Sequence, residues 1–509
     1  MVAHVVTPAL LGLHAATVHV EADLRPGQPA FAVVGLPDTA VQEARERVRS
    51  GIANQALALP AQRIVVNLAP ADLRKIGPQY DLPIALSVLA ASGQVRPDHL
   101  DGLGAVGELA LDGTLRPLHG TLAMAEHAAA SGWKRLMVPA ANAHEAALVP
   151  GITVIGVTDL RDALRYVTGA TPPPEYRVSP GALLAENAGR RAADMNEIRG
   201  QDTARRVLEI SAAGGHSMLM MGPPGGGKTM LARRLPGILP PMSVDDAITV
   251  TRIHSVVGLM SAGTPMLTER PFRAPHHTIS AVGLVGGGRF PQPGEVTLAH
   301  RGVLFLDEIC AFDPAALDAL RQPLEEGYVD ITRGMVNARF PAKPLLVCAG
   351  NPCPCGYRGD PDRACNCPPG RAEAYYGRLS GPIMDRIDLQ LTVPRLAARE
   401  VVGLSPPGES TETIRSRVMA ARAFAAQAGR SGENSALSAS EARRACALDE
   451  ESTRILTRAV ERLHLSARAH DRLLRVSRTI ADLAGQERVH SEQILEALTY
   501  RRSGSASGG

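Results

Sequence analysis

The sequence predicts an α/β protein: a core built on a parallel sheet, with a separate α+β domain before it and a helical domain after it. Three observations predict this. The apolar run Ser217-Met-Leu-Met-Met221 leads directly into a glycine-rich loop and then a helical stretch. Two later apolar runs end in Asp307-Glu308 and in Asn351, the pattern of buried parallel strands with polar residues at one end. From Thr411 to about Arg502 the pattern is almost wholly helical and rich in arginine.

At 509 residues the chain is too long for one ordinary core, so two or three domains are expected. Hydrophobic residues at 45% and charged residues at 21% are those of a globular protein. Aromatics are only 3%, so Leu, Val, Ile and Ala must fill the cores. Lys and Arg total 54 against 51 Asp and Glu, a balance that does not announce nucleic acid but leaves room for a local basic channel. No apolar stretch has membrane-spanning length, and no membrane partner is expected. Met1 to Leu13 lacks a basic region followed by an apolar core and cleavage site, which makes the cytoplasm the expected location.

Residues 1–170 read as alternating strands and helices. Phe31–Val34, Arg63–Asn67 and Arg135–Pro139 are short β-rich runs. Thr39–Ala53 and Leu122–Ser131 have helical spacing, the second closed by Gly132. Thr171-Pro-Pro-Pro-Glu175 and Pro180-Gly181 disfavour helix and ladder alike, so 171–195 reads as a linker. The core then spans 196–395. Ser405-Pro-Pro-Gly-Glu-Ser410 is a second breaker inside the start of the helical region, 396–502, and 503–509 is a polar tail expected to be disordered.

Gly222-Pro-Pro-Gly225-Gly-Gly227-Lys228-Thr229 matches G-x-x-x-x-G-K-[ST] at every fixed position, between a strand and a helix. The glycines let the backbone wrap phosphates with its N–H groups turned inward, and the helix start adds partial positive charge. Lys228 is placed to reach the β and γ phosphates of ATP, and the Thr229 hydroxyl to bind Mg²⁺. Asp307 is the expected partner in the Mg²⁺ shell, and Glu308 the base that orients and deprotonates the attacking water. An apolar run ending in Asp-Glu means little by itself; about eighty residues after such a loop it is specific. Asn351, at a strand end beside the loop, is suited to hold that water or touch the γ phosphate.

Cys353, Cys355, Cys365 and Cys367 form two Cys-x-Cys pairs around a nine-residue loop. Four thiolates can close a structural tetrahedral Zn²⁺ site, which would fold a charged loop that has no core of its own. The spacing is tighter than usual, and reduced thiols are the alternative. Cys310, Cys348 and Cys446 read as small buried hydrophobes. His276 and His277 are adjacent and make a poor metal pair; a role in the loop or at DNA stands beside simple packing.

Arg273-Ala-Pro-His-His-Thr-Ile-Ser280, Gly286-Gly-Gly and Pro293-Gly-Glu-Val-Thr-Leu-Ala-His300, continuing to Glu308, resemble the magnesium-chelatase-like AAA+ family, and the chain from about residue 5 to 502 resembles its ComM/YifB branch. The resemblance implies an AAA+ P-loop core with a helical lid, assembled as a homo-hexamer with ATP sites between subunits. It implies that Arg386 is an arginine finger reaching the neighbour's γ phosphate, with a surface ion pair to Asp385 or Asp388 as the plainer reading. It implies that Arg468 is the sensor-2 arginine, in a region where several arginines compete for that role. Asp330–Phe340 fits the family's DNA-facing hairpin, with Arg333 beside Gly334 at its tip. The first domain resembles the Lon-type proteolytic domain (ribosomal S5 domain 2-like), yet Gln79 stands where the nucleophilic serine is expected and Leu115–Leu122 offers no lysine. An amide cannot attack an acyl group, so this domain is expected to be non-proteolytic.

The resemblance implies an ATP-driven hexameric DNA translocase that acts on single-stranded or branched DNA and promotes branch migration in the recombination of incoming DNA (natural transformation). The alternatives are a protein-remodelling ATPase and a chelatase-type motor subunit.

Overall fold

The computed structural model describes residues 2–501 except 173, 175, 188–192, 262, 289–290, 334–335, 380, 397–399, 401 and 403–405; the side chains of Arg333, Val336, Gly381 and Pro382 are also outside the description, as is the expected tail.

The chain opens with a hairpin of two long strands, Val2–Leu11 and His14–Arg25. Arg63–Ala69 adds to its second strand antiparallel, and Ala30–Val34 lies parallel at that edge. On the other side Leu103–Ala105, Arg135–Pro139 and Thr153–Val157 follow in parallel, completing a mixed seven-stranded sheet. Thr39–Asn54 is a helix capped by Asp38, whose carboxylate accepts from the Val41 N–H. Asp81–Ala91 is buried along its whole length, so it is apolar all round and lacks an amphipathic stripe. Gln79 is buried in the tight turn Pro78–Tyr80 just before it.

The second sheet is wholly parallel, in the order Phe272–Arg273, Val303–Leu306, Leu345–Gly350, Met218–Met221, Leu389–Thr392. Its central strands are apolar at successive positions because both faces are covered. Met218, Met220, Phe305 and Val347 face one core, shared with the helical lid. Leu219, Leu304, Leu306 and Cys348 face another, shared with the loop insertions. Met221 pairs with Gly350, so the glycine-rich loop and Asn351 leave the sheet side by side. This is where a parallel sheet changes winding direction and where ligands gather.

The hairpin Tyr328–Arg333/Val336–Pro341 precedes the Leu345–Gly350 strand. The lid consists of helices Thr411–Gln427, Ala439–Cys446, Glu450–Leu463, Ala467–Leu483 and Ser491–Thr499. Ser410, Ser438, Asp449 and Ser466 cap the first four through side-chain oxygens.

The segment expected to be a linker is only partly irregular. It carries the helix Pro180–Asn187, whose Leu183 and Leu184 pack with Ala247 and Val250 of the core. The first domain is docked on the core as well. The Gly120 N–H donates to Ser255 O and Oγ, each at 3.0 Å; Arg252 pairs with Glu126 at 2.8 Å; and Ser255 donates to the buried Glu145. Gly12 lies against Ala338 and Phe340 of the hairpin, where a Cβ would stand 3.1 Å from Ala338.

Candidate ATP site and a separate arginine cleft

Glycine is required in the phosphate loop for two different reasons. A Cβ on Gly222 would lie 2.0 Å from Val393 O of the neighbouring segment. Gly225 and Gly227 have φ of 82° and 80°, a conformation that side chains disfavour. Helix Lys228–Ile238 begins immediately after. Lys228 Nζ donates to Gly222 O at 2.7 Å, Pro223 O at 2.9 Å and Asn351 Oδ1 at 3.2 Å. It thus folds back over its own loop, within reach of the strand end that carries Asn351. Burial lowers the Lys228 pKa, opposed by the charges of Asp307 and Glu308.

Thr229 Oγ1 donates to Asp307 Oδ2 at 2.7 Å. A hydroxyl and a carboxylate in contact beside a phosphate loop are hard oxygen donors that fit Mg²⁺, which takes few protein ligands. Glu308 follows with φ of 52°, a left-handed conformation rare outside glycine, and its side chain is 57% exposed. The turn re-aims the carboxylate away from the strand and towards open space.

His277 Nδ1 lies 3.5 Å from Glu308 Oε2. Sequence reasoning left the two histidines between loop and packing roles and missed this contact. The signal was their position: they follow Phe272–Arg273, the strand next to the one that ends at Asp307, so both segments emerge at the same end of the sheet. His276 stacks on His277 with ring centroids 4.2 Å apart, and Arg273 is fixed to Glu295 by two hydrogen bonds of 2.6 and 2.7 Å.

The four clustered cysteines converge, with ligand atoms within 4.8 Å of one another. Cys353 Sγ is 3.3 Å from Cys355 Sγ and 3.7 Å from Cys365 Sγ. The backbone N–H of Tyr357 helps push the Cys355 pKa down to about 6, while hydrogen bonding with the neighbouring sulfurs pushes Cys365 up to about 12 and raises Cys367, so the charge of the cluster concentrates on Cys355. Cys310, Cys348 and Cys446 are buried, and burial raises the pKa of each.

Arg386 and Arg468 lie elsewhere. The Asp388 N–H donates to Ser217 O, which places the Arg386 segment at the start of the Met218–Met221 strand, about 13 Å from its Lys228 end. Arg386 pairs with Glu325, not with Asp385 or Asp388. Arg468 is 74% exposed and 3.6 Å from Asp385. Both line a cleft of about 790 Å³ together with Arg270, Arg422, Arg472 and Arg475. Burial and the neighbouring Arg468, Arg321 and Arg472 lower the Arg386 pKa. Other lid arginines are engaged in structure. Arg472 donates to Met384 O at 3.0 Å and Ile387 O at 3.2 Å, and the buried Arg478 donates to Ala445 O at 2.9 Å and Glu487 O at 2.8 Å.

Arg333 ends the first strand of the hairpin; its side chain, and Gly334 beside it, lie outside the described residues. Lower in the hairpin, Arg339 holds Asp330 at 2.7 and 2.8 Å and lies over the Tyr328 ring at 4.1 Å.

Comparison with known proteins covers nearly the whole chain. Residues 194–401 match the family described as magnesium chelatase, subunit ChlI; 20–142 match the description subunit ChlI of Mg-chelatase; and 408–501 match the ChlI C-terminal family. Competence protein ComM of Haemophilus influenzae is 42% identical over 495 residues, 97% of this chain and 96% of its own. The YifB protein of Escherichia coli is 42% identical over 501 residues, with the same coverage of 97% and 96%. The magnesium-chelatase subunit ChlI of Euglena gracilis is 26% identical over 157 residues, 26% of this chain and 45% of its own.

Proposed function

The chain belongs to the ComM/YifB group of magnesium-chelatase-like ATPases, and from that membership we propose that it is a hexameric, ATP-driven DNA translocase that promotes branch migration. The observation that carries the ring is the separation of parts. Lys228, Thr229, Asp307, Glu308 and Asn351 gather at one end of the sheet, while Arg386 and Arg468 lie at the other. One chain therefore supplies no arginine from this cleft to its own phosphate loop. A neighbouring copy, packed head to tail, can supply it, and head-to-tail contacts that close give rings.

In this reading Gly222–Thr229 wraps ATP and Lys228 leaves its own carbonyls for the β and γ phosphates. Thr229 and Asp307 would hold magnesium, which when bound neutralises charge on the phosphates. Glu308 takes the proton of the attacking water, and Asn351 orients that water. Arg386 of the adjacent copy meets the charge that develops on the transferred phosphoryl group, with Arg468 beside it; a planar guanidinium suits that task. The four cysteines hold a structural zinc ion.

DNA as the substrate rests on the relationship to a competence protein and on the hairpin whose first strand ends at Arg333. Contacts there would be to phosphate, independent of sequence and weakened by salt. The first domain is read as a non-proteolytic Lon-type domain, since the buried Gln79 offers no nucleophile. Among the described residues no helix is long and apolar enough to cross a membrane, and the proposed location is the cytoplasm. The ChlI matches favour a second reading, a magnesium-chelatase-type motor subunit that does not act on DNA. ATPase rate with and without single-stranded, duplex and branched DNA at two salt concentrations separates the two. Salt-sensitive stimulation supports the translocase; no response to any DNA, with basal turnover intact, supports the second reading.

A further inference from the structure

The four-cysteine segment is built against the ATP site. Cys353 follows Asn351 by two residues and is fully buried. Gly356, with φ of 86°, rests on the phosphate loop: a Cβ there would stand 2.6 Å from Pro224 Cδ and 3.9 Å from Asn351 Cγ. Asn351 in turn accepts from Lys228 at 3.2 Å. On its far side, the segment runs into the helix Arg371–Tyr376, whose Tyr375 packs in the same cluster as Cys310, two residues after Glu308. Arg358 ties the loop to that helix through Glu373 at 2.6 Å. The segment therefore lies against the phosphate loop at Pro224, adjoins Asn351 along the chain, and approaches the Glu308 turn through the helix.

The segment has no core of its own to hold this shape. Residues 353–367 contain no helix or strand, and beyond Cys353 and Gly356 none is buried. Arg363 donates to Tyr357 Oη at 2.8 Å and Asp360 accepts from the Asp362 and Arg363 N–H groups, but these contacts are exposed and lie between Cys355 and Cys365; the convergent sulfurs are what brings the two ends of the segment together.

We propose that the four cysteines bind zinc and that the metal-closed knuckle is a positioning element for ATP, holding Pro224 and Asn351 so that nucleotide affinity depends on the metal. Four thiolates leave zinc no open position, so the ion takes no part in hydrolysis. This rests on the ATPase reading, but its test separates the two.

The test uses the full chain and three readouts: zinc content by elemental mass spectrometry, affinity for a fluorescent ADP analogue, and kcat and KM for ATP. The variants are Cys365→Ser/Cys367→Ser, which alters the two cysteines farther along the chain from Asn351, and Cys365→His, which retains a zinc ligand. We expect one zinc per wild-type chain. The double variant should lose it, with a rise in analogue Kd on the order of tenfold, the scale of one polar contact to phosphate lost from the loop. Cys365→His should keep both metal and affinity. Because the double variant can fail to fold, wild-type protein stripped by chelator and reloaded with zinc provides a second measurement, with affinity expected to fall and then recover. Wild-type protein with well under one equivalent of zinc overturns the metal site, whatever the ATPase does. Zinc lost with analogue Kd unchanged overturns the positioning role. Normal zinc and affinity without ATP turnover instead overturns the ATPase reading alone.

Discussion

Thr229 and Asp307, 78 residues apart in the chain, are joined by a hydrogen bond of 2.7 Å from hydroxyl to carboxylate. Two strands of one parallel sheet bring them together, with the Leu345–Gly350 strand between theirs. The two oxygens proposed to hold Mg²⁺ are thus in direct contact. Thr229→Ala should raise the Mg²⁺ concentration for half-maximal ATPase by about tenfold, the low end of the cost of losing support at a metal site. A magnesium titration checks this.

Lys228→Ala should lower turnover by at least about 10²-fold, because phosphate charge loses its buried cation. Steady-state phosphate release measures it, and wild-type turnover would remove Lys228 from the site.

Glu308→Gln should leave ATP bound but unhydrolysed, with kcat reduced by about 10²- to 10⁴-fold. His277→Ala should lower kcat while leaving KM unchanged, because the imidazole touches Glu308 and not the phosphate loop. A rise in KM alone would place His277 in nucleotide binding instead.

Arg333→Ala should weaken DNA binding across all sequences. The slope of log affinity against log salt should fall by about 0.7 to 0.9 for each phosphate that is no longer neutralised. Binding isotherms at several salt concentrations provide the slope.

His300 gives a pH prediction. Burial, with Arg301 adding to it, pushes its pKa down to about 4, and its Nδ1 accepts the Lys343 N–H at 3.1 Å. Between pH 6.5 and 4 the unfolded chain binds the proton and the folded chain does not, so stability falls as pH falls through that window. The loss is at most about 3 kcal/mol. His300→Asn should show a smaller drop in Tm between pH 7 and pH 5 than wild type.

Much of the site was legible because it follows local rules. Gly222–Thr229 needs a strand, a permissive turn and a helix start in succession, and each has a sequence mark. Asp307 and Asn351 were readable because a buried strand must stop where its polar residues begin. What escaped depends on tertiary placement. The contact of His277 with Glu308 requires the strand order. The partner of Arg386 is Glu325, far away in sequence, whereas composition pointed to its neighbours Asp385 and Asp388. The seating of Gly356 on Pro224 is a contact between two loops without periodicity. The Pro180–Asn187 helix was hidden by the prolines around it, and is held by packing with Ala247 and Val250.

The central claim is that each ATP site is completed by the next subunit, and mixing two inactive variants tests it most directly. Arg386→Ala lacks the finger but keeps Glu308; Glu308→Gln lacks the base but keeps Arg386. Each alone should be nearly inactive. In co-assembled rings of equal amounts, about one quarter of the sites pair an intact Glu308 with an intact Arg386 from the neighbour, and turnover should return to roughly that fraction of wild type. No recovery, in rings shown by native mass spectrometry to contain both variants, would contradict the intersubunit site.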